Sequence, residues 1–268
     1  MTTWQALILG LVQGITEFLP ISSSGHLVIL QRLWHISGNE LLFITFLHLG
    51  TVLAVVWALR REVKALIHRP LSWNALMIYA ALVPTAVIGW AFEDWFEGLF
   101  KSGMTIGFEF VITGIILWWL DSVNVKGKRL EDMTLKDSLW IGTLQGAAIL
   151  PALSRSGLTI AGGLWRGLDR DAAGRFSFLL SIPAILGATV VELDDLFEHP
   201  AAQSSIAWTQ ILVGTAAAVV AGYISVKGTL WLIRRSKMRV FAIYVWIVAA
   251  FILADQLFFH HWFPSLLK

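Results

Sequence analysis

The 268 residues are 57% hydrophobic and only 14% charged, whereas soluble domains are about 45–50% apolar and about 25% charged, which excludes an ordinary soluble globule and points to a polytopic membrane protein. Twenty basic residues against 18 acidic ones leave a net charge of +2; with no basic tail, zinc spacing or stacking motif, nucleic acid is excluded as a partner. No cysteine is present, which removes disulfides, thiol catalysis and Cys-ligated metals.

The N-terminal MTTWQ lacks a basic start, so no cleavable signal peptide is expected. Residues 3–34 are apolar but broken by QGITEFLPISSSGH (13–26) into two pieces. Each piece is too short to cross a bilayer, which takes roughly 20 apolar residues. Spans are predicted near 40–60, 74–94 and 104–121. A second broken region, 137–168, carries PALSRSG at its centre, and spans near 176–196, 207–232 and 239–259 follow. Broken helices at membrane depth are tolerated where protein or a cavity surrounds them, so both regions read as re-entrant hairpins. Tryptophans 57, 73, 95, 118, 208 and 231 fall near span ends, where amphipathic rings anchor. In the fifth span Gly214, Ala218 and Gly222 recur every four residues, a small-residue stripe suited to close helix packing.

The 60–73, 122–136 and 234–239 loops are basic, and the 93–97 and 192–198 turns are acidic. Positive charge marks the cytoplasmic side. Six spans then put both termini outside, with the first hairpin entering from outside and the second from the cytoplasm. The expected fold is all-α: six transmembrane helices plus two re-entrant hairpins.

An internal repeat fits that geometry. Shifted by 132 residues, GLVQGITEFLPISSSG (10–25) falls on GTLQGAAILPALSRSG (142–157) without a gap, with six identities in sixteen positions. Phe46 and Leu47 fall on Phe178 and Leu179 at the same shift. Opposite entry sides make residues 1–121 and 133–268 an inverted-topology repeat within one membrane domain, an architecture that places its site near the bilayer midplane.

The two loop tips carry the chemistry. Each is Ser-x-Ser-Gly before a second half-helix, whose N-terminus offers free N–H groups to an anion. Ser22, Ser24, Gly25, Ser154, Ser156, Gly157 and Thr159 are the expected phosphate-binding positions. The copies differ chemically: Ser23 in one is Arg155 in the other, a guanidinium matched to phosphate oxygens, and Glu17 aligns with Ile149. A carboxylate, hydroxyl and imidazole (Glu17, Ser23, His26) read as catalysis, with Arg155 as a phosphate clamp. Gln13 lies one helical turn before Glu17, so both can face one ligand or metal. Taken singly, Ser or His in such a segment is more often structural, and the bland reading of Glu17 and Arg155 is that they pair only with each other. The bland explanation has to be repeated for every residue, which favours function. His48, His68, His260, Glu109 and Asp255 have no motif around them and read as structural.

QGITEFLPISSSGH and PALSRSGLT resemble the two signature motifs of the BacA-type undecaprenyl-diphosphate phosphatases of bacteria. The resemblance runs along nearly the whole chain, through FSFLLSIPAILGA (176–188) and FAIY (241–244). Ala152 departs from a family glycine, which bears on backbone geometry without removing a functional group. The resemblance implies hydrolysis of undecaprenyl diphosphate to undecaprenyl phosphate for cell-wall carrier recycling, bacitracin tolerance and a divalent cation, Mg2+ or Ca2+. It places the protein in the bacterial cytoplasmic membrane and leaves a homodimer open. In that setting Arg155 clamps the diphosphate, Glu17 with Gln13 holds the cation, and Ser23 attacks with His26 as its base, then acid. Attack by metal-bound or Glu17-activated water is the rival route. A lipid-phosphate transporter or flippase is the alternative from another class, because inverted repeats with broken helices are common in transporters.

Overall fold

The computed structural model describes residues 1–36, 41–123, 125–198, 207–235 and 237–266, and among them every regular element is helical. The first broken segment is α1 (Thr3–Phe18) and α2 (Ser23–Leu33); the second is α8 (Leu135–Ala147) and α9 (Arg155–Trp165). At 16, 11, 13 and 11 residues, none reaches the roughly 20 needed to span. Between them lie α3 (Leu41–Ala58), α4 (Arg60–His68), α5 (Trp73–Ala91), α6 (Glu93–Ser102) and α7 (Ile106–Leu120). The chain closes with α10 (Arg170–Glu198), α11 (Trp208–Arg234) and α12 (Met238–Ala254), the last continuing into a π turn at Asp255–Phe259.

Among the described residues five helices are long and apolar enough to cross a membrane: α3, α5, α10, α11 and α12 with its π turn. A sixth span requires α6 and α7 to count together across a 107° bend, since α7 has only 15 residues. The chain is a multi-pass membrane protein.

Three connections differ from the sequence expectation. The basic 60–73 loop holds α4, and the acidic 93–97 turn is the start of α6. In both, acidic residues occupy the first turn (Glu62; Glu93 and Asp94) and His68 or Lys101 the last, matching the helix dipole. Gly103, at φ 66°, ends α6 in the left-handed conformation that glycine adopts without strain. The 192–198 segment is no turn either, since it completes α10.

Packing is reciprocal between the halves. α1 lies along α11, and α8 lies along α5; at the 132-residue shift α1 is equivalent to α8 and α5 to α11. The small-residue stripe is the α1–α11 seam. A Cβ on Gly10 would sit 2.1 Å from the Gly214 carbonyl oxygen, and one on Gly14 would sit 2.6 Å from that of Ala218. Across the other seam, a Cβ on Gly142 would sit 1.9 Å from the Ala81 carbonyl oxygen. Backbones this close exclude any side chain, and close contact of this kind drives helix association in lipid. Phe18 and Phe178 meet edge to face at 5.3 Å in the buried core that also holds Ile21 and Ala152 of the two loops.

Candidate active site

The breaks at 19–22 and 148–154 bring the two loops against each other. Ser22 Oγ donates to the Pro151 carbonyl at 3.0 Å, and Ser156 Oγ donates to the Leu19 carbonyl at 3.0 Å. Leu19 and Pro151 are equivalent positions of the repeat, so each loop gives a hydroxyl to the same point on the other. Ser22 and Ser154 are also the N-caps of α2 and α9, accepting from Gly25 N at 3.3 Å and Gly157 N at 3.1 Å. The two glycine N–H groups expected to meet phosphate are therefore taken by caps. At the starts of α2 and α9 the unbonded N–H groups, among the described residues, are those of Ser23, Ser24, Arg155 and Ser156. The loops differ in strain: Ser22 sits at φ 67°, ψ 106°, whereas Ser154 has an ordinary φ of −73°. Strained residues of this kind cluster at functional sites.

Glu17, in the last turn of α1, is the hub. Its Oε1 accepts from Arg155 Nη2 of the opposite loop. Its Oε2 accepts from Ser23 Oγ at 2.6 Å and from Gln13 Nε2 at 2.9 Å. Glu17, Gln13 and Ser23 are buried. Two buried atoms here have no hydrogen-bond partner among the described residues: Arg155 Nη1, a donor, and Gln13 Oε1, an acceptor. Buried polar groups are nearly always paired, so orphans beside a carboxylate–guanidinium pair mark places for a ligand.

His26 is not Ser23's hydrogen-bond partner. Its Nδ1 lies 2.6 Å from the Ser22 carbonyl, which can only accept, so Nδ1 carries the proton. Its Nε2 lies 2.9 Å from the Tyr244 hydroxyl on α12, and the two rings stack at 5.6 Å. Phe110 of α7 meets the imidazole edge to face at 5.5 Å and also explains Gly25, where a Cβ would lie 2.6 Å from the Phe110 ring. Thr159 is turned from the hub: its hydroxyl donates to the Arg155 carbonyl at 2.8 Å and lies 2.7 Å from Ser177 Oγ. Ser24 is half-buried, and its hydroxyl makes no hydrogen bond among the described residues.

Groups the sequence reading left aside support the second loop. Glu109 accepts from Ala152 N at 2.5 Å and from Thr105 Oγ1 at 2.5 Å. Thr113 Oγ1 donates to the Ala152 carbonyl at 3.2 Å and accepts from Ser154 N at 3.2 Å. Ala152 is fully buried and outside the positive-φ region, so an alanine fits at this position. His48 of α3 lies within electrostatic reach of Glu17. The one signal for Tyr244 was its place in FAIY; Glu109 and Thr113 had none beyond polarity inside an apolar run.

No group of three or more His, Cys, Asp or Glu residues suited to a metal occurs among the described residues. The site does offer two hard oxygen donors, the Glu17 carboxylate and the unpartnered Gln13 Oε1. These suit Mg2+ or Ca2+, whose remaining ligands are commonly waters and substrate phosphate oxygens.

Residues 6–251 match the family model described as bacitracin resistance protein BacA. An undecaprenyl-diphosphatase of Carboxydothermus hydrogenoformans is 50% identical over 256 residues, covering 96% of this chain and 98% of that one. Undecaprenyl-diphosphatase 4 of Bacillus cereus is 44% identical over the same shares of both chains. The undecaprenyl-diphosphatase of Alkaliphilus metalliredigens is 36% identical, covering 96% of this chain and all of that one.

Proposed function

The chain belongs to the bacitracin resistance protein BacA family, and on that premise we propose that it is an undecaprenyl-diphosphatase acting in the bacterial cytoplasmic membrane. It hydrolyses undecaprenyl diphosphate to undecaprenyl phosphate and phosphate, returns the lipid carrier to cell-wall synthesis and confers bacitracin tolerance. The observation that carries the reading is the chain Arg155–Glu17–Ser23, assembled from both loops, with the donor Arg155 Nη1 left over.

The residues take these roles. Arg155 Nη1, with the free N–H groups of Ser23, Ser24, Arg155 and Ser156, receives the terminal phosphate and offsets charge on the transferred phosphoryl group. Ser24 adds its hydroxyl. Ser22, Ser154, Ser156, Gly25 and Gly157 shape the loops, and Thr159 braces α9. Ser23 Oγ attacks phosphorus while its proton passes to Glu17 Oε2. The bond from phosphorus to the bridging oxygen breaks, and its electron pair leaves with undecaprenyl phosphate. That leaving group is itself a stabilised phosphate anion and needs no acid. Water then attacks the phosphoserine, Ser23 regains its proton and phosphate departs. Arg155 does two jobs at once: Nη2 holds the Glu17 carboxylate in place beside Ser23, and Nη1 is left for the phosphate. The geometry favours Glu17 over His26 as the base for Ser23, while His26 fixes the start of α2 through the Ser22 carbonyl. A divalent cation held by Glu17 and Gln13 Oε1 would neutralise phosphate charge.

The same reading includes an inverted repeat of residues 1–121 and 133–268, with α1–α2 and α8–α9 as re-entrant hairpins from opposite faces and both termini outside. It is supported by the reciprocal α1–α11 and α8–α5 seams and the crossed serine–carbonyl bonds. A single cysteine replacing Gly127, in the basic 122–136 segment, labels only from the cytoplasmic side of intact cells; labelling from outside would overturn the topology.

Purified protein in detergent, given undecaprenyl diphosphate, releases phosphate on this account. A carrier without hydrolase activity releases none, and that result would hand the site to the transport reading.

A further inference from the structure

A second site lies away from the two loops, where three spans end together. The last turn of α3, the start of α4, the first turns of α10 and the end of α11 enclose a cavity of about 530 Å³. None of its lining residues belongs to the Glu17 cluster. Five cations line it, Arg60, Arg61, Arg175, Lys227 and Arg234, with Glu62 as the one acidic residue in the wall.

The cations are unequally committed. Arg175 pairs with Glu62 and, at 2.8 Å, with Asp171; Arg234 reaches Asp171 at 2.7 Å. Lys227 Nζ donates to the Ala58 carbonyl at 3.1 Å. Arg60 and Arg61 are exposed and make no ion pair or hydrogen bond among the described residues. Five cations thus face two carboxylates, and the excess sits on the two arginines that are free to move. The start of α4 has no side-chain cap, so its first N–H groups add donors of the same sign.

The wall is also aromatic. Trp57 and Tyr223 rings lie 5.3 Å apart, and Trp231 completes the lining. Trp57 and Trp231 are exposed. Both sit at the ends of apolar spans, the level at which aromatic rings meet lipid headgroups. A soluble anion would use the cations alone. A basic pocket between helix ends, rimmed by lipid-facing tryptophans, also suits a molecule with a tail, and basic pockets of this kind bind anionic headgroups.

We propose that this cavity seats the phosphate of an anionic phospholipid from the leaflet beside the basic loops, held by Arg60 and Arg61 and flanked by Trp57 and Trp231. The proposal is independent of whether the loop site is a phosphatase.

The test titrates phosphatidylglycerol into the full-length protein in phosphatidylcholine–detergent micelles and follows the melting temperature. The wild type is stabilised as phosphatidylglycerol rises. At about 1 kcal/mol per basic residue near the surface, Arg60→Gln/Arg61→Gln needs about 30-fold more lipid for the same rise. Lys64→Gln/Arg69→Gln removes the same charge outside the cavity and behaves as wild type. If the Lys64/Arg69 variant loses as much as the Arg60/Arg61 variant, general surface potential explains the effect and the site is refuted. If inorganic phosphate in phosphatidylcholine gives a rise that Arg60→Gln/Arg61→Gln abolishes, the pocket takes a soluble anion and the lipid assignment falls. A wild type indifferent to phosphatidylglycerol overturns the proposal outright.

Discussion

Replacing Arg155 separates its two jobs. Its side chain is 17% exposed and that of Glu17 6%, so their contact is largely shielded from water. Nη2 is committed to Glu17, while Nη1 is the unpartnered donor assigned to substrate. Lysine keeps the charge but offers a single point-like ammonium. It can hold Glu17 or the phosphate, not both in the resting geometry. The loss is one charge-assisted hydrogen bond, about 1.5–3 kcal/mol, or roughly 10–150-fold in kcat/KM. Alanine removes that bond and also strands a buried carboxylate, and breaking one partner of a buried pair costs about 3–5 kcal/mol. Arg155→Ala therefore loses both activity and melting temperature, whereas Arg155→Lys loses chiefly activity. Glu17→Gln added to Arg155→Ala regains stability without regaining turnover, because the stranded charge is gone but the site stays broken. The assay is phosphate release from undecaprenyl diphosphate in detergent, with melting curves on the same samples. Arg155→Lys within threefold of wild type would refute the two-job account.

Tyr244→Phe removes one hydrogen bond to His26 Nε2, worth about 0.5–1.5 kcal/mol, so turnover falls roughly 2- to 13-fold. Since Tyr244 acts through His26, adding Tyr244→Phe to His26→Ala costs nothing further; an additional tenfold loss would show an independent role. Asp137, at the start of α8 outside the candidate spans, is fully buried. Burial pushes its pKa up, but hydrogen bonds from Lys128, Thr134 and Arg166 outweigh that and lower it from 3.8 to about 2. A depressed carboxylate stabilises the fold above its unfolded value and loses that contribution as pH falls toward about 2. Asp137→Asn is thus less stable at neutral pH, with about 2 kcal/mol of the loss coming from the missing charge, and that part of the difference from wild type shrinks between pH 4 and pH 2. A difference constant across that range would contradict it.

Much of the scaffold was readable because lipid is a strict solvent. Two apolar segments carrying Pro, Ser and Gly at their centres can neither span nor stay unbroken, and α1–α2 and α8–α9 break at those residues. The Glu17–Gln13 contact followed from helical spacing. The partner of Ser23 did not. His26, three residues on, looked like its base by periodicity, but side chains on a helix lean toward its N-terminus. Ser23 therefore meets the end of α1, while the His26 ring folds back to the Ser22 carbonyl. The missed supports, Tyr244 on α12 and Glu109 and Thr113 on α7, are brought in by tertiary packing that no local period encodes. The short helices α4 and α6 were hidden by their charge, since nine or ten polar-rich residues read as loop when no apolar stripe is long enough to show.

The attack by Ser23 on phosphorus is tested most directly by phosphate release from Ser23→Ala under single-turnover conditions, with saturating protein and the wild type in parallel. A hydroxyl that only binds phosphate costs roughly 10²–10³-fold when removed. A nucleophile takes the rate to background, and the account predicts background. Ser23→Ala at a tenth or more of the wild-type rate, a barrier change of about 1.4 kcal/mol or less, would contradict it and give the attack to water activated by Glu17.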